Sequence, residues 1–371
     1  MKVLAAYTSY PLSETDWRGR FMADMVTALS ARTDIDLRVW GPPGPVPAAA
    51  KCVASEQEAR WLRRLLEQGG IAHLLTRHPA RGTLAAGRLM RYLRAAYRRN
   101  TDVAVAHVHW LQNALPLWGS DLPAVISVLG TDFRLLSLPG MGFALRRAIG
   151  RRRCIIAPNA HWMVPALERQ FGDLAEIRAV PFGVDAKWYS VSRNPAGPQP
   201  RKWLVVLRVT PRKMGRLFEW GQGLFDDSDQ LHLLGPMQEQ VEMPPWVHYH
   251  GPVDPETLMR KWYPDITGMV TLSEHSEGRP QVILEAMACG IPVIASDIAA
   301  HRDVIQSGRT GYLVSSQNDL ASALKQLSTT DINLEVGRAA KEWVGREIGT
   351  WDDCAERYVQ AYRRVAEDPG Q

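Results

Sequence analysis

Short runs of aliphatic and β-branched residues alternate along the whole chain with longer stretches of helical period. The runs predict strands at residues 2–7, 36–40, 103–109, 124–128 and 154–158. A second set follows at 203–209, 231–235, 247–251, 268–272, 292–296 and 311–314. VISVL and WLVVL are apolar at nearly every position. Such runs suit strands covered on both faces, as in a parallel sheet. Strand and helix in alternation imply βαβ units and doubly wound sheets, an α/β fold. Residues 42–50 show no period and read as a loop.

The two sets are separated by SVSRNPAGPQPRK, residues 190–202. Its three prolines and one glycine cannot hold a helix or a central strand. The expected organisation is a domain at 1–189, a linker at 190–202 and a domain at 203–349. The length of 371 residues fits two cores. The last segment, TWDDCAERYVQAYRRVAEDPG, spaces Cys354, Tyr358, Ala361, Tyr362 and Val365 as one helical face. It predicts a helix over 350–368 that packs back on the first domain, capped by Thr350 and stopped by Pro369–Gly370.

Composition narrows the class. Hydrophobic residues are 46% and charged ones 22%, ordinary for a globular chain. MKVLAAYTSY lacks a leader-type apolar segment, and no run reaches the roughly 20 apolar residues that span a bilayer. Four scattered cysteines form no CxxC pair, which disfavours a zinc site or disulfide framework and suits a reducing cytosol. A cytoplasmic location is expected. The net charge of +5 is uneven: residues 1–185 hold 24 basic and 15 acidic side chains, and the remainder hold 20 and 24. Residues 60–99 contain ten arginines and one acid, Glu67.

The densest candidate chemistry lies in SEHSEGRPQVILEAMACGIPVIASD, residues 273–297. Glu277 and Glu285 stand eight positions apart, one in the loop after a strand and one in the helix that Gly278 and Pro280 open. Helix N-termini at strand ends offer N–H groups to anions and sugar oxygens, and carboxylates accept from vicinal hydroxyls. Alone, the pair reads equally well as solvated helix-start acids. In VVLRVTPRKMG, residues 205–215, a buried strand ends in Arg208, with Arg212 and Lys213 shortly after. Two cations there can clamp a diphosphate, or simply form a basic turn.

LEAMACGIPVIASD together with E-x7-E resembles the donor signature of retaining glycosyltransferases of family 4, which have the GT-B fold of two Rossmann-like domains facing a cleft. The resemblance runs over residues 1–365 and is dense in 203–316. It implies that Glu277 lies near the donor sugar, Glu285 binds the nucleotide ribose, and Arg208 and Lys213 hold the diphosphate. Gly278, Arg279 and Pro280 fall in the same donor-binding stretch. Gly19 stands where the family usually has a paired glycine near phosphate, though a lone glycine fits an ordinary turn. His109 and Trp110, with His107, end a predicted strand that precedes the family's acceptor side; a structural histidine is the plainer reading. Trp110, Trp118 and Trp162 could stack on sugar rings. VISVLGTDF departs from the family: Leu129 replaces its usual histidine, and Asp132 either orients the acceptor or supports the loop. Asp303 stands where the family usually has glutamate.

The resemblance implies transfer from a nucleoside-diphosphate sugar, uridine favoured and guanosine second, with retention. No metal or other cofactor is expected, because two cations and helix N-termini can stabilise the leaving diphosphate. Leu129 keeps two alternatives open: a nucleotide-sugar epimerase of the same fold and a catalytically silent nucleotide-sugar-binding protein. Residues 81–99, RGTLAAGRLMRYLRAAYRR, predict a helix with Leu84, Leu89, Leu93 and Tyr97 on an apolar side. Arg88, Arg91, Arg94 and Arg98 form a basic stripe beside it. With Arg146, Arg147, Arg151, Arg152 and Arg153, this suits an anionic membrane surface or a lipid-linked or phosphorylated acceptor, or else a solvated arginine face. No nucleic-acid-binding module is present.

Overall fold

The computed structural model describes all residues except 14, 15, 17, 195–199, 276 and 368–371. Part of the expected 190–202 linker and the expected Pro369–Gly370 stop therefore lie outside the described residues. The chain divides into two compact units. One is Met1–Phe182 joined by the C-terminal segment from Trp351; the other is Gly183–Thr350.

The first unit holds a parallel sheet of β1 (Lys2–Ala6), β2 (Asp36–Trp40), β3 (Lys51–Cys52), β4 (Val105–His109), β5 (Ala124–Val128), β6 (Cys154–Pro158) and β7 (Glu176–Ile177), in spatial order β3-β2-β1-β4-β5-β6-β7. The second sheet contains β8 (Arg201–Val206), β9 (Asp229–Leu234), β10 (Val247–Gly251), β11 (Gly268–Thr271), β12 (Val293–Ser296) and β13 (Tyr312–Val314), in order β10-β9-β8-β11-β12-β13 and also parallel. Both orders are doubly wound, with the direction of winding reversing at β1/β4 and at β8/β11.

The buried runs explain the centre of each sheet. Every residue of β4, β5, β6, β11 and β12 is buried. The two-residue edge strands β3 and β7 carry no such run, so the sequence pattern does not reveal them. The chain changes unit at Gly183, ahead of the proline-rich stretch, because residues 183–190 pack on the second unit. Gln281 Nε2 donates to the Gly183 carbonyl at 2.6 Å, the Cys289 thiol donates to the Trp188 carbonyl at 3.1 Å, and Trp188 packs at a tilt against Tyr263.

The helix Trp351–Ala366 buries Cys354, Tyr358, Ala361, Tyr362 and Val365 in the core of the first unit. A polar chain locks it there. Tyr362 Oη lies 2.6 Å from His107 Nδ1, His107 Nε2 lies 2.8 Å from Ser127 Oγ, and Ser127 Oγ lies 2.7 Å from Tyr358 Oη. Both ring nitrogens of His107 are thus satisfied, and burial pushes its pKa well below the usual value. Tyr362→Phe should leave one buried nitrogen without a partner and lower stability by about 1–3 kcal/mol, read from the urea midpoint at pH 7.5. The folded state keeps His107 neutral while the unfolded chain protonates near pH 6.5. Stability of the wild type should therefore fall as pH drops below about 6.5.

The arginine-rich helix runs Pro79–Arg99 and buries Leu89, Leu93 and Tyr97. Leu84 departs from expectation: it is 75% exposed. Leu89, Leu93 and Tyr97 follow one another at four-residue spacing, whereas Leu84 precedes Leu89 by five and turns off that face. Among the described residues, no helix is long and apolar enough to cross a membrane.

Candidate functional site

In the second unit the loops leaving β8 and β11 diverge where the strand order reverses, the place where open α/β sheets receive ligands. The loop after β8 enters a short helical turn, Pro211–Met214. Its cap residue Thr210 accepts from the Lys213 N–H at 3.3 Å and so fixes the backbone that carries Lys213. From there Lys213 Nζ reaches Glu277 Oε2 at 2.6 Å, with both side chains largely buried. The two loops are also joined through backbone, Glu274 N–H donating to the Arg212 carbonyl at 3.1 Å. Gly215 makes this approach feasible. Its φ is +52°, and a β-carbon there would stand 1.9 Å from the Leu272 carbonyl oxygen.

His275 marks the convergence. Burial lowers its pKa most, and Lys213, Arg208 and Arg212 lower it further while Glu277 opposes them. The sequence-expected Arg208, Lys213 and Glu277 therefore share one electrostatic neighbourhood, with Arg212 among them. Glu285 sits half-buried on the helix Gln281–Ala288, where its charge acts on Tyr263 and, one turn on, Cys289. Gly278, Arg279 and Pro280 are buried at the start of that helix. Arg279, expected in the donor-binding stretch, is engaged by a side chain from elsewhere in the unit. It forms an ion pair with Asp303, the two side chains being 2% and 6% exposed. That pair fastens the loop before the helix to the segment after β12, giving Asp303 an anchoring role.

In the first unit the corresponding reversal lies at β1/β4. Gly19 has φ +68° and opens the helix Arg20–Ser30; a β-carbon would press to 3.0 Å on Ser9 Oγ and the Tyr10 backbone. Asp132 is buried and accepts from the N–H groups of Leu111 and Leu129, both at 2.8 Å, while burial raises its pKa. It ties the loops after β4 and β5 together, so the loop-supporting alternative describes its contacts. His109 is corrected from an acceptor-side residue to a core one: Nδ1 meets the Ala6 carbonyl at 3.3 Å and Nε2 meets Met25 Sδ at 3.2 Å. Burial brings its pKa down to about 4. Trp110 follows with φ +68°, the positive-φ residue other than glycine among the described residues. Such strain gathers at functional positions. Trp162 packs edge-on against Phe133, and half-exposed Trp118 lies under the Arg147 guanidinium.

Two residues escaped sequence reasoning. His275 lies inside the quoted signature but belongs to no spacing rule. His301 is buried next to β12 and shows no sequence signal beyond its residue type. Among the described residues, no cluster of three His, Cys, Asp or Glu is placed to hold a metal ion.

Residues 221–330 match the family described as Glycosyl transferases group 1. The chain is 36% identical over 102 residues to D-inositol 3-phosphate glycosyltransferase of Gordonia bronchialis, covering 27% of this chain and 22% of that protein. It is 38% identical over 87 residues to phosphatidyl-myo-inositol mannosyltransferase of Mycobacterium leprae, 23% of each. These matches thus span about a quarter or less of the relatives' own length. Sucrose-phosphate synthase from Thermosynechococcus elongatus superposes with a TM-score of 0.72 at 16% identity, over 98% of this chain and 99% of that one. HepE of Anabaena in complex with UDP-glucose gives 0.63 at 15%, over 98% and 100%. At such identities the likeness establishes the fold, two Rossmann-like units of the GT-B type.

Proposed function

We propose that this chain, whose residues 221–330 match the glycosyl transferases group 1 family, is a glycosyltransferase that moves a sugar from a nucleoside diphosphate to an acceptor hydroxyl with retention. The observation that carries the proposal is the Lys213–Glu277 pair at the β8/β11 reversal, with Arg208 and Arg212 in the same field. In the reaction, the bond between the anomeric carbon and the phosphate oxygen breaks, and its electron pair leaves with the diphosphate. The acceptor oxygen bonds to the same face of that carbon, and its proton passes to the departing phosphate. Lys213 and Arg208 offset the charge that builds on the diphosphate. Glu277 holds the Lys213 ammonium in place and accepts from sugar hydroxyls, and Glu285 takes the ribose. Uridine is the favoured base, consistent with the UDP-glucose bound by the structurally similar HepE.

A panel of UDP- and GDP-sugars read by thermal shift tests the donor. Saturation at about 100 times Kd stabilises by about 2.7 kcal/mol. The true donor should raise the Tm, and without acceptor it should slowly release nucleoside diphosphate. A changed sugar without release would mark an epimerase, and binding with neither outcome a silent binder.

The acceptor is proposed to carry phosphate, free or lipid-linked. Both relatives named above act, by name, on phosphorylated inositols. The first unit supplies a matching surface: Arg60, Arg63, Arg64, Arg77, Arg81, Arg91, Arg94 and Arg98 are exposed, with Leu84 and the 41%-exposed Leu75 among them. Apolar tips amid arginines suit a peripheral position on an anionic leaflet. The second cluster contributes less than expected. Arg146 pairs with Asp173, and Arg152 is buried against the Leu117 and Leu122 carbonyls. Arg88 is likewise drawn inward onto Trp61 and Tyr92. Co-sedimentation should rise with the vesicles' anionic lipid content and fall with salt. Indifference to lipid charge would contradict the membrane part of the proposal.

A further inference from the structure

His301 lies in the short helical segment Ala299–Arg302 that follows β12, and it is fully buried. Its Nδ1 stands 2.8 Å from the Ser296 carbonyl oxygen, and a carbonyl can only accept, so Nδ1 carries the ring proton. Nε2 is then a bare acceptor. It is buried and, among the described residues, has no hydrogen-bond partner. Buried polar atoms are nearly always paired, and an exception calls for a reason.

The surroundings supply one. Ser296 also donates its hydroxyl to the Ser273 carbonyl at 2.6 Å, which joins the His301 segment to the loop that carries Glu277. Glu277 and Lys213 both act on the ring electrostatically, and burial, the largest influence, keeps it neutral. The Lys213 ammonium is directed to Glu277, and the Glu277 carboxylate has no proton to give. A diphosphate has none to give either, since its oxygens are acceptors. A sugar hydroxyl does.

We infer that His301 Nε2 accepts a hydrogen bond from a hydroxyl of the donor's sugar ring and so helps to select and orient that sugar. The inference rests on the donor-binding reading above. Because the atom is covered, the contact forms only as the Lys213 and Glu277 side chains adjust around the incoming donor. On this account His301 discriminates among sugars and is indifferent to the nucleotide.

Two substitutions separate the roles of the two ring nitrogens. His301→Asn places an amide N–H where Nδ1 stands and keeps the bond to Ser296, but it removes the acceptor. His301→Gln extends an amide oxygen toward the position of Nε2. Binding is measured by titration calorimetry with UDP-glucose against UDP and with GDP-mannose against GDP, using whichever sugar nucleotide stabilises the wild type more. The expected result is that His301→Asn weakens the sugar nucleotide about tenfold, leaves the bare diphosphate within about twofold, and is partly rescued in His301→Gln. Wild-type affinity for both ligands in His301→Asn, at unchanged Tm, would overturn the inference and reduce the imidazole to a tie for Ser296. Equal loss for sugar nucleotide and bare diphosphate would overturn it too, since the effect would then run through Lys213. If the wild type bound none of the four ligands, the donor-binding reading would fall and this inference with it.

Discussion

Lys213→Ala is expected to lower turnover by about 10²–10³-fold while leaving the fold intact. That is the usual loss when one group stabilising a developing negative charge is deleted. Two effects combine. The leaving diphosphate loses a cation, and Glu277 loses the partner 2.6 Å away that fixes its carboxylate. The substitution removes a side chain within a four-residue turn, not one in a core, so the Tm should change little. Steady-state kinetics should show the loss mainly in kcat, as expected for an interaction that strengthens in the transition state. Lys213→Arg keeps the charge on a broader group and should recover part of the rate. Full activity in Lys213→Ala would remove the assigned role.

Gly215→Ala should destabilise the second unit by about 2–6 kcal/mol, from backbone strain together with overpacking. At φ +52° and ψ −124° an L side chain is disfavoured, and its β-carbon would meet the Leu272 carbonyl oxygen at 1.9 Å. Backbone cannot move aside as a flexible side chain can. The variant should therefore either unfold at lower urea or push apart the loops after β8 and β11. In the second case Lys213, two residues away, moves from Glu277 and activity falls with stability. Unchanged urea midpoint and activity would show that the two loops do not need this close approach. Gly223→Ala is the control: it also has positive φ, yet its added β-carbon would meet nothing within 4 Å, so it should carry only the strain.

Much of the fold was legible before any coordinates. Apolar runs marked the central strands to within two or three residues, since a strand buried on both faces must be apolar throughout. The face formed by Cys354, Tyr358, Ala361, Tyr362 and Val365 marked a helix needing a core of its own. Periodicity failed at β3 and β7, which have two residues each and lie at the sheet edge. It also failed at Leu84, which precedes Leu89 by five residues and so stands off the buried row.

For the candidate site, residue types and spacing singled out Arg208, Lys213, Glu277 and Glu285 as candidates, because charged groups at strand ends and helix starts are conspicuous in sequence, while their expected roles came from the resemblance to family 4 glycosyltransferases. The roles of the neighbours were decided by which partner each side chain meets. Arg279 turned inward to Asp303, and His109 turned into the core against Ala6 and Met25. Asp132 was taken up by the backbone N–H groups of Leu111 and Leu129.

By itself, the amino-acid order determined the class of fold, the two sets of strands and the charged residues available for chemistry, because these follow from local period and composition. Tertiary structure alone decided that Lys213 meets Glu277 across 64 positions of chain, that Gly215 must be glycine and that one nitrogen of His301 is left bare. Each of these depends on the distance between segments far apart in sequence, and that distance is set by strand order and packing, which no local pattern encodes.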